Sequence, residues 1–387
     1  MSPRLTATPD AVVDPSMPDV THHFHPVLRS KELVQQPVRV ILSGRAIVLY
    51  RTPKGKAVAM ADQCPHRRTP LSKGTVRPDG RLQCAYHGWH FDEAGDGCAP
   101  QQPKLKCQAH AYRTVERLGY IWVAKRSTPA SAMPAFARDA EELTGEWEGF
   151  EPLKPIVFDI EAPLEPVMDN FSEIEHVPHV HVVLGWKEND VPKMTIELEK
   201  TEDGSICRAW GPQREAPMGP LRLVDKLLLH SAGTTSLLQW GFKFSPVHLT
   251  FMPGWGDPET GERRVFSVRA TTVLVPISPT LTRLINFPFL KIHERRLQWM
   301  RPILRITARS ALKKELILDG KFCEMVGDVP FELKGMRLGA FDRQLVYNRR
   351  LLKRLYYGNE GLQNQEDDAP EISETVPMMR AVGQNND

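Results

Sequence analysis

The sequence predicts an α+β protein with two domains, the first of which is a small antiparallel β domain. Three observations lead to this fold class. The chain has 387 residues, which is too long for a single small core. Short β-rich runs separated by glycine-containing turns fill its first third, and longer runs of strand and helix character follow. The apolar and charged fractions, 41% and 25%, are those of an ordinary folded globular protein.

The first domain begins after a segment that is rich in proline, threonine and aspartate. Residues 1–20 have no apolar core, so they predict a disordered tail and not a signal peptide. The histidine cluster at residues 22–25 is interpreted as a packing feature at the start of the first strand and not as a metal site. Further strands are predicted at residues 38–42, 47–51, 57–60, 112–116 and 120–123.

The second domain follows a change in composition to proline, alanine and serine around residues 127–140, which is typical of a linker. Strands are predicted at residues 156–160, 237–255 and 265–274, and helices at residues 164–180 and 281–318. Pro288 and Pro302 are expected to break the second helical region. The predicted organisation is a tail at 1–20, a first domain at 21–127, a linker at 128–150, a second domain at 151–360 and a mobile tail at 361–387.

Two short loops of the first domain carry a metal-binding pattern. Cys64-Pro65-His66 is followed, after seventeen residues, by Cys84-Ala85-Tyr86-His87. One cysteine and one histidine from each loop give four ligands, which suit either a tetrahedral zinc ion or a [2Fe–2S] cluster with two cysteines on one iron and two histidines on the other. The remaining cysteines show no paired spacing and are interpreted as buried thiols: Cys98, Cys107, Cys207 and Cys323.

A second candidate metal site lies in the segment that runs from Asn170 to His181. His176 and His181 are five residues apart, so on an unbroken helix they point about 140° away from each other and cannot bind one ion. Pro178 removes a backbone N–H and clashes with the preceding turn, so we expect a kink there that brings the histidines together. Taken alone, the pattern also fits an amphipathic core helix.

The residues around these ligands resemble a known family. His66 runs into Arg67-Arg68-Thr69-Pro70-Leu71-Ser72-Lys73-Gly74, and His87 into Gly88-Trp89-His90-Phe91-Asp92. This stretch resembles the Rieske domain of Rieske non-haem iron oxygenases, and it lacks the extra cysteine that respiratory Rieske proteins carry in each loop. The segment from Asn170 to His181 is similar to the Asn-x-x-Asp-x-x-His-x(4)-His motif of the oxygenase catalytic domain, with Glu173 in place of the usual aspartate.

The resemblance covers most of residues 20–360 and implies two metal sites, one in each domain. A Rieske [2Fe–2S] cluster would be held by Cys64, His66, Cys84 and His87. In a C-terminal helix-grip catalytic domain, a mononuclear Fe(II) would be held by His176, His181 and an aspartate far along the chain, for which Asp319 fits best. Three acids remain alternatives to Asp319, and one histidine remains an alternative to His181: Glu315, Glu324, Asp328 and His179.

The function that the resemblance implies is oxygenation of a small apolar or aromatic molecule with O₂. The expected reaction is monooxygenation, by hydroxylation or oxidative demethylation, and cis-dihydroxylation is the alternative. In a homotrimer, or a multiple of it, Glu173 would bridge His176 and a cluster histidine of the neighbouring subunit, and Asn170 would serve the catalytic site. Two other classes remain open: a Rieske electron carrier fused to a lipid- or ligand-binding helix-grip domain, and a zinc-stabilised interaction protein.

The electron donor is expected to be a separate protein. The sequence has no Gly-x-Gly-x-x-Gly fingerprint after a strand and no second cysteine-rich cluster motif. Electrons from NAD(P)H would therefore arrive through a flavin reductase, with or without a ferredoxin. The basic residues around the cluster loops either dock an acidic ferredoxin or are simply solvated: Arg67, Arg68, Lys73, Arg77 and Arg81.

Charge and hydropathy limit the other partners. The net charge of +3 gives no reason to expect nucleic-acid binding, and no run of eighteen apolar residues predicts a transmembrane segment. A cytoplasmic location is therefore expected. Residues 283–314 carry many arginines and lysines among leucine, isoleucine and tryptophan. We interpret them as a helical layer with a solvated charged face, with a membrane-surface helix or a substrate portal as the alternatives.

Overall fold

The structure, a computed structural model, describes residues 14–137, 147–181, 188–189, 195–210, 235–256, 263–329 and 332–358. It divides into two compact units. Unit 1 comprises Met1–Thr144 and Val275–Thr282, and unit 2 comprises Gly145–Leu274 and Arg283–Asp387. The division after Thr144 falls inside the segment 128–150 that the sequence predicts as a linker. The predicted mobile tail, 361–387, lies outside the described residues.

Unit 1 is built on a six-stranded antiparallel sheet. Its first hairpin has a two-residue turn, in which Ser43 and Gly44 both have positive φ, of 46° and 69°. Such a turn matches the right-handed twist of its flanking strands. The strands pair in the spatial order His25–Arg29, Tyr120–Lys125, Ala111–Arg117, Ala57–Ala61, Arg45–Arg51 and Val38–Leu42.

Residues 14–20 are ordered in this structure, although the sequence predicts them as part of a disordered tail. The Asp14 carboxylate accepts a hydrogen bond from the backbone N–H of Ser16 at 2.9 Å. The Ser43 hydroxyl donates to the carbonyl oxygen of Pro18 at 2.7 Å, and Val20 is fully buried. Aspartate side chains that bond to their own backbone form turns, which a composition-based prediction of disorder does not detect.

A second, five-stranded antiparallel sheet of unit 1 carries the cysteine–histidine loops. The cysteine of the second loop directly follows one of its strands, and that of the first loop comes three residues after a strand of the six-stranded sheet. Cys64 and Cys84 both belong to the apolar cluster that fills this unit. The five strands are Thr75–Val76, Leu82–Gln83, His90–Phe91, Asp96–Cys98 and Cys107–Gln108.

Unit 2 is organised around an eight-stranded antiparallel sheet of long hairpins. Together with the helices described below, it confirms the predicted α+β fold class. The strands lie in the order Glu151–Pro152, Leu281–Ile292, Arg263–Ser278, Val247–Gly256, Thr235–Phe244, Gly204–Trp210 and Thr195–Thr201, and Ile156–Ile160 also pairs with Leu281–Ile292.

The predicted helical region 281–318 is wrong in its first part. Leu281–Ile292 is a strand, and nine consecutive positions within it are buried. A strand that is buried on both faces reads as a continuous apolar run, so periodicity cannot distinguish it from a buried helix. A 3₁₀ segment, Arg295–Met300, follows it, and a long α-helix then begins at Arg301. Pro302 lies in the first turn of that helix and does not break it, because the missing N–H of proline has no intrahelical partner there.

The predicted helix at 164–180 is two short helices separated by turns. The described residues contain four α-helices: α1 (Leu164–Asn170), α2 (Val177–Val180), α3 (Arg301–Met325) and α4 (Arg343–Leu351). A π-helical turn, Leu352–Tyr356, continues α4. Within the ranges that the structure describes, no helix combines the length and the apolar character needed to cross a membrane.

Candidate functional site

The two cysteine–histidine loops of unit 1 share one backbone conformation. In the first loop, the Cys64 N–H donates to the carbonyl oxygen of Thr69 at 2.9 Å, and the Arg68 N–H donates to the carbonyl oxygen of Cys64 at 2.8 Å. Arg68 has a positive φ of 59°, which is uncommon for a residue other than glycine. This tight loop contains both ligand candidates, Cys64 and His66.

The second loop repeats this pattern residue by residue. The Cys84 N–H donates to the carbonyl oxygen of Trp89 at 2.7 Å, and the Gly88 N–H donates to the carbonyl oxygen of Cys84 at 3.2 Å. Gly88 has a φ of 72° and stands at the same offset from its cysteine as Arg68 does in the first loop. Two loops of one conformation therefore present one cysteine and one histidine each.

The side chains of the two loops meet. The rings of His66 and His87 have centroids 4.4 Å apart, and His66 stacks on Trp89 with an interplanar angle of 4°. The Nδ1 atom of His66 is buried and has no hydrogen-bond partner among the described residues. A buried ring nitrogen without a partner is costly unless it binds a ligand, so it fits a metal at this position.

The cysteines point to the same conclusion. Burial raises the pKa of the Cys64 thiol to about 11, against backbone hydrogen bonds from His66 that lower it, and the neighbouring Cys84 raises it further. If two cysteines in contact inside a core were both thiolates, their negative charges would repel each other unless a metal centre compensated them. The four side chains therefore fit a metal centre with two sulfur and two nitrogen ligands, and their chemistry alone allows zinc or a [2Fe–2S] cluster.

A second group of ligand-type side chains lies in unit 2. His176, His181 and Asp319 each offer one atom, and these three atoms lie within 4.8 Å of one another. The Asp319 Oδ1 atom is 2.9 Å from Nε2 of His181 and 3.7 Å from Nε2 of His176. Asp319 and His181 are buried. Two histidines and one carboxylate at these distances fit the ligand set of a mononuclear ferrous site.

Each of these histidines uses its other ring nitrogen to contact a glutamate. Nδ1 of His176 hydrogen-bonds to Glu173, and Nδ1 of His181 lies 2.8 Å from Oε2 of Glu315. Burial lowers the pKa of His181, but the hydrogen bonds to Asp319 and Glu315 outweigh it and raise that pKa to about 9. Carboxylates behind ligand histidines fix the tautomer and the ring orientation, so both Nε2 atoms face the same point.

Asn170 joins this group from the end of α1. Its side-chain amide donates to Oδ1 of Asp319 at 3.2 Å. The hydrogen bond holds the carboxylate of a residue that is distant in sequence against the segment that carries both histidines. Asn170 is therefore placed to orient Asp319, and it has no direct place among the three converging atoms.

The backbone reaches this arrangement without the kink at Pro178 that the sequence predicts. The chain leaves the helical conformation after Asn170, passes through turns, and re-enters a short helix in which Pro178 occupies the first turn. Proline is tolerated there because its missing N–H has no helical partner. The second change of direction comes at His181, with φ −109° and ψ 61°. The ring centroids of His176 and His181 are consequently only 5.2 Å apart.

The alternative ligands take other positions. His179 is exposed, and so are Glu324 and Asp328. Glu315 lies close to the group, but it contacts the outer nitrogen of His181 and not the point where the three atoms converge. The geometry therefore favours the set His176, His181 and Asp319 over every alternative that the sequence leaves open.

Comparison with known proteins identifies the first unit. Residues 23–113 match the model of the Rieske [2Fe-2S] domain family, and they include both loops. This part of the chain is a Rieske domain. The match excludes the interpretation of the loops as a structural zinc site, because the Rieske domain carries a [2Fe–2S] cluster. The predicted span of the first domain, 21–127, contains the whole of the matched range.

Curated relatives extend the similarity past the Rieske domain. The oxygenase subunit of vanillate O-demethylase from Pseudomonas sp. (strain HR199 / DSM 7063) is 33% identical over 174 residues, which cover 43% of this chain and 47% of the relative. The protein TIC 55, chloroplastic, of Arabidopsis thaliana is 28% identical over 218 residues, which cover 52% of this chain and 38% of the relative. The chain spans less than half the length of these relatives.

Solved structures match nearly the whole chain. Dicamba monooxygenase bound to dicamba has a TM-score of 0.62 at 18% identity, over 89% of this chain and 100% of the other. A mutant of NdmA from Pseudomonas putida CBB5 with caffeine has a TM-score of 0.61 at 17% identity, over 88% and 92%. At this identity the likeness shows a shared fold, in which a Rieske domain precedes a sheet-rich domain with few helices.

Sequence reasoning missed the role of Glu315. It entered only as an alternative iron ligand, whereas the structure places it behind His181. A signal was present, because Glu315 and Asp319 are four residues apart on one helix and therefore share a face. Two carboxylates at that spacing can approach one histidine ring from both of its nitrogens.

A buried chain of polar side chains in unit 2, which the sequence did not predict, holds the segment that precedes the two histidines. It connects the sheet of unit 2 to α4 and to the turn that precedes Glu173, and every member is buried. Fully satisfied buried networks rigidify the elements that they join. Each member donates to the next, at 2.6 to 3.0 Å, in the order Trp240, Gln344, Ser205, Asn348, Ser172 and the Met168 carbonyl oxygen.

A buried ion pair anchors the same turn, and its removal gives a testable prediction. Arg349 donates two hydrogen bonds to the Asp169 carboxylate, at 2.8 and 2.5 Å. Arg349→Met leaves this buried carboxylate without its partner, which we expect to lower the free energy of unfolding by about 3–5 kcal/mol in urea unfolding experiments. The matched control is Arg208→Met, because the Arg208–Glu199 pair is exposed and should contribute less than about 1 kcal/mol. Equal losses in both variants would contradict the prediction.

Proposed function

We propose that this protein is the oxygenase component of a Rieske monooxygenase, which hydroxylates or oxidatively demethylates a small apolar or aromatic molecule. O₂ is the co-substrate, and a separate reductase supplies electrons from NAD(P)H. The single observation that carries the proposal is the convergence of His176, His181 and Asp319 in a chain that also contains a Rieske domain. A protein that only carries electrons needs the Rieske domain but not the three converging side chains.

The proposal assigns a role to each candidate residue. Cys64, His66, Cys84 and His87 would hold the [2Fe–2S] cluster, and His176, His181 and Asp319 a mononuclear Fe(II). When bound, the cluster supplies single electrons and the ferrous ion activates O₂ for insertion into a C–H bond. The protein's own contribution is positional: Glu173 and Glu315 orient the two rings, and Asn170 orients the carboxylate.

The sheet of unit 2 supports an apolar or aromatic substrate. Ser205 hydrogen-bonds to Asn348 of α4, which in turn holds Ser172 beside the candidate iron site. Directly opposite Ser205 in the antiparallel register is Phe242, and opposite Phe242 is Leu249, so these side chains share that face of the sheet. The aromatic-rich run 237–255, which is predicted as strand, contributes this buried apolar row, and we expect it to line an apolar pocket. The side chains of residues 237 and 255 lie outside the described residues.

The names of the similar proteins agree with this substrate class. One relative is named for vanillate O-demethylation, another is aminopyrrolnitrin oxygenase PrnD of Pseudomonas fluorescens, and the matching structures contain dicamba or caffeine. We propose an aromatic compound with a methyl group on oxygen or nitrogen as the first substrate class to test. A cis-dihydroxylating dioxygenase, which uses the same iron ligands, is the second candidate.

The partners belong to the same proposal. Arg67, Arg68 and Lys73 are exposed on and beside the first cluster loop, where an acidic ferredoxin or reductase would be attracted by their charge. A homotrimer, or a multiple of it, would let Glu173 reach a cluster histidine of a neighbouring subunit. The cytoplasmic location stays a prediction, and several relatives, TIC 55 among them, are named as chloroplastic proteins.

Metal content and isotope incorporation test the function together. We expect about three irons per chain and visible absorption from the cluster, whereas a Rieske carrier fused to a ligand-binding domain would hold two irons. With a reductase and ¹⁸O₂, a panel of methoxy- and N-methyl aromatic compounds that includes vanillate should give products that contain one labelled oxygen, or demethylated products with release of formaldehyde. Two labelled hydroxyl groups would indicate the dioxygenase, and two irons without any product would overturn the proposal.

A further inference from the structure

An apolar stripe on the outer face of α3 and of the 3₁₀ segment that precedes it has no role in the core or in the candidate site. Trp299, Ile303 and Ile306 are 75%, 53% and 69% exposed. The inward face of the same segment is apolar too, since Leu297 and Leu304 fill a core cluster with Leu153, Phe266 and Leu290. The core is therefore complete without the outer stripe, and a contiguous exposed group of this kind marks a surface that meets another phase or molecule.

The segment that carries the stripe is strongly basic. Between residues 295 and 314 there is no aspartate or glutamate. Exposed tryptophan and isoleucine beside arginine and lysine, without acidic residues, are typical of helices that lie in the headgroup region of a membrane. The segment contains seven cations: Arg295, Arg296, Arg301, Arg305, Arg309, Lys313 and Lys314.

Six of these cations fall into two groups, and the side chain of Arg296 lies outside the described residues. Arg301 and Arg305 both pair with Glu151, and Arg309 donates to the carbonyl oxygens of Lys154 and Pro155, so these three hold α3 against its own unit. By contrast, the exposed cations Arg295, Lys313 and Lys314 make no hydrogen bond or ion pair with any described residue. Their charge is available to an outside partner.

The two available lysines share the face of the apolar stripe on α3. At 100° per residue, Ile303, Ile306, Lys313, Lys314 and Ile317 fall within an arc of about 100° on α3. Ile317 is also exposed. Apolar side chains with lysines on the same narrow face can enter the acyl boundary while the ammonium groups extend to the headgroups.

We propose that this outer face of α3 docks on an anionic lipid surface. The charge decides between the occupants, because the stripe between Trp299 and Ile317 carries unpaired lysines and no acid on its face, and such a surface complements negative headgroups. In a two-fold symmetric contact, a second copy of this chain would place the same lysines against each other, which like-charge repulsion opposes. A head-to-tail contact, as in the proposed trimer, avoids this repulsion, and the oligomeric state tests it.

Vesicle binding by the full-length protein tests the proposal. We expect co-sedimentation with phosphatidylcholine vesicles that contain 30% phosphatidylserine, little co-sedimentation with pure phosphatidylcholine, and loss of binding at high salt. Ile303→Ser with Ile306→Ser, and separately Lys313→Gln with Lys314→Gln, should each weaken binding about tenfold. The matched controls are Val34→Ser, at a side chain that is 66% exposed elsewhere, and Lys104→Gln with Lys106→Gln, at two exposed lysines of unit 1.

The oligomeric state provides the opposing outcome. Light scattering of the Ile303→Ser, Ile306→Ser protein should give the same mass as the original protein, because the stripe is not a contact between copies. A fall in mass, with no vesicle binding by the original protein, would assign the stripe to a subunit interface and overturn the proposal. Equal binding to neutral and anionic vesicles, or binding that neither double variant changes, would overturn it as well.

Discussion

Replacing Asp319 by alanine is expected to remove the mononuclear iron and reduce turnover to background, while the visible absorption of the Rieske cluster stays unchanged. Asp319 is the one carboxylate whose oxygen lies within 4 Å of the inner ring nitrogens of both His176 and His181 among the described residues. Removal of a group behind a ligand already lowers metal affinity about 10- to 100-fold, so loss of a ligand itself should exceed that. Iron analysis measures the loss of the mononuclear iron, and the visible absorption spectrum measures the cluster separately.

The chain provides matched controls for this experiment. Glu324 lies on the same helix but is exposed, so Glu324→Ala should keep both iron and turnover. Glu315→Gln should keep the iron but bind it more weakly, because His181 loses a charged partner at Nδ1 and keeps Asp319 at Nε2. Full iron retention in Asp319→Ala, together with loss in Glu315→Gln, would instead make Glu315 the third ligand.

The cluster loops could be predicted from the sequence because their ligands are neighbours along the chain. Cys64 and His66 lie on one tight loop and Cys84 and His87 on another, so local turns alone bring each pair together. The conformation of each loop is set by a residue with positive φ four positions after the cysteine, Gly88 in the second loop. Such local geometry requires little knowledge of the rest of the fold.

The carboxylate ligand of the candidate iron site could not be predicted uniquely, because the sequence left four acidic residues as alternatives. Asp319 and His181 are 138 residues apart, so the packing of α3 against the sheet decides which acid points inward. Gly320 makes that packing close, because a Cβ atom there would lie 2.9 Å from a ring carbon of Phe158. Spacing along the sequence contains no information about this approach, whereas burial in the structure separates Asp319 from the exposed Glu324 at once.

The path of the chain through the segment that carries the two histidines was predicted for the wrong reason. A break in the helix is present, but it follows Asn170, where the turn is held by Ser172 and the buried polar chain. Pro178 then starts α2. Proline is compatible with both a kink and a first turn, and the sequence alone does not distinguish between them.

The last prediction concerns Glu173, whose two carboxylate oxygens both contact the same residue. One oxygen hydrogen-bonds to Nδ1 of His176, and the other accepts the backbone N–H of His176 at 3.2 Å. Glutamate has one methylene more than the aspartate of the family motif, and the side chain folds back to make both contacts. Within one chain, Glu173 therefore fixes the ring of His176, and the bridging role requires that one oxygen also accepts a hydrogen bond from a neighbouring subunit.

Glu173→Gln separates these two roles, because the amide keeps one acceptor but loses the charge. If Glu173 is the bridge, both metals should still bind, although the mononuclear iron is held more weakly, as in Glu315→Gln. Reoxidation of the reduced cluster by O₂ and substrate, per bound iron, should slow by about 10- to 100-fold in stopped-flow absorption. Glu173→Asp, which restores the residue of the family motif, should keep the original rate, and the exposed Glu175→Gln should change nothing. Iron loss together with an unchanged rate per bound iron would show that Glu173 only orients His176, because a bridge acts on the transfer of electrons and not on the affinity for the metal.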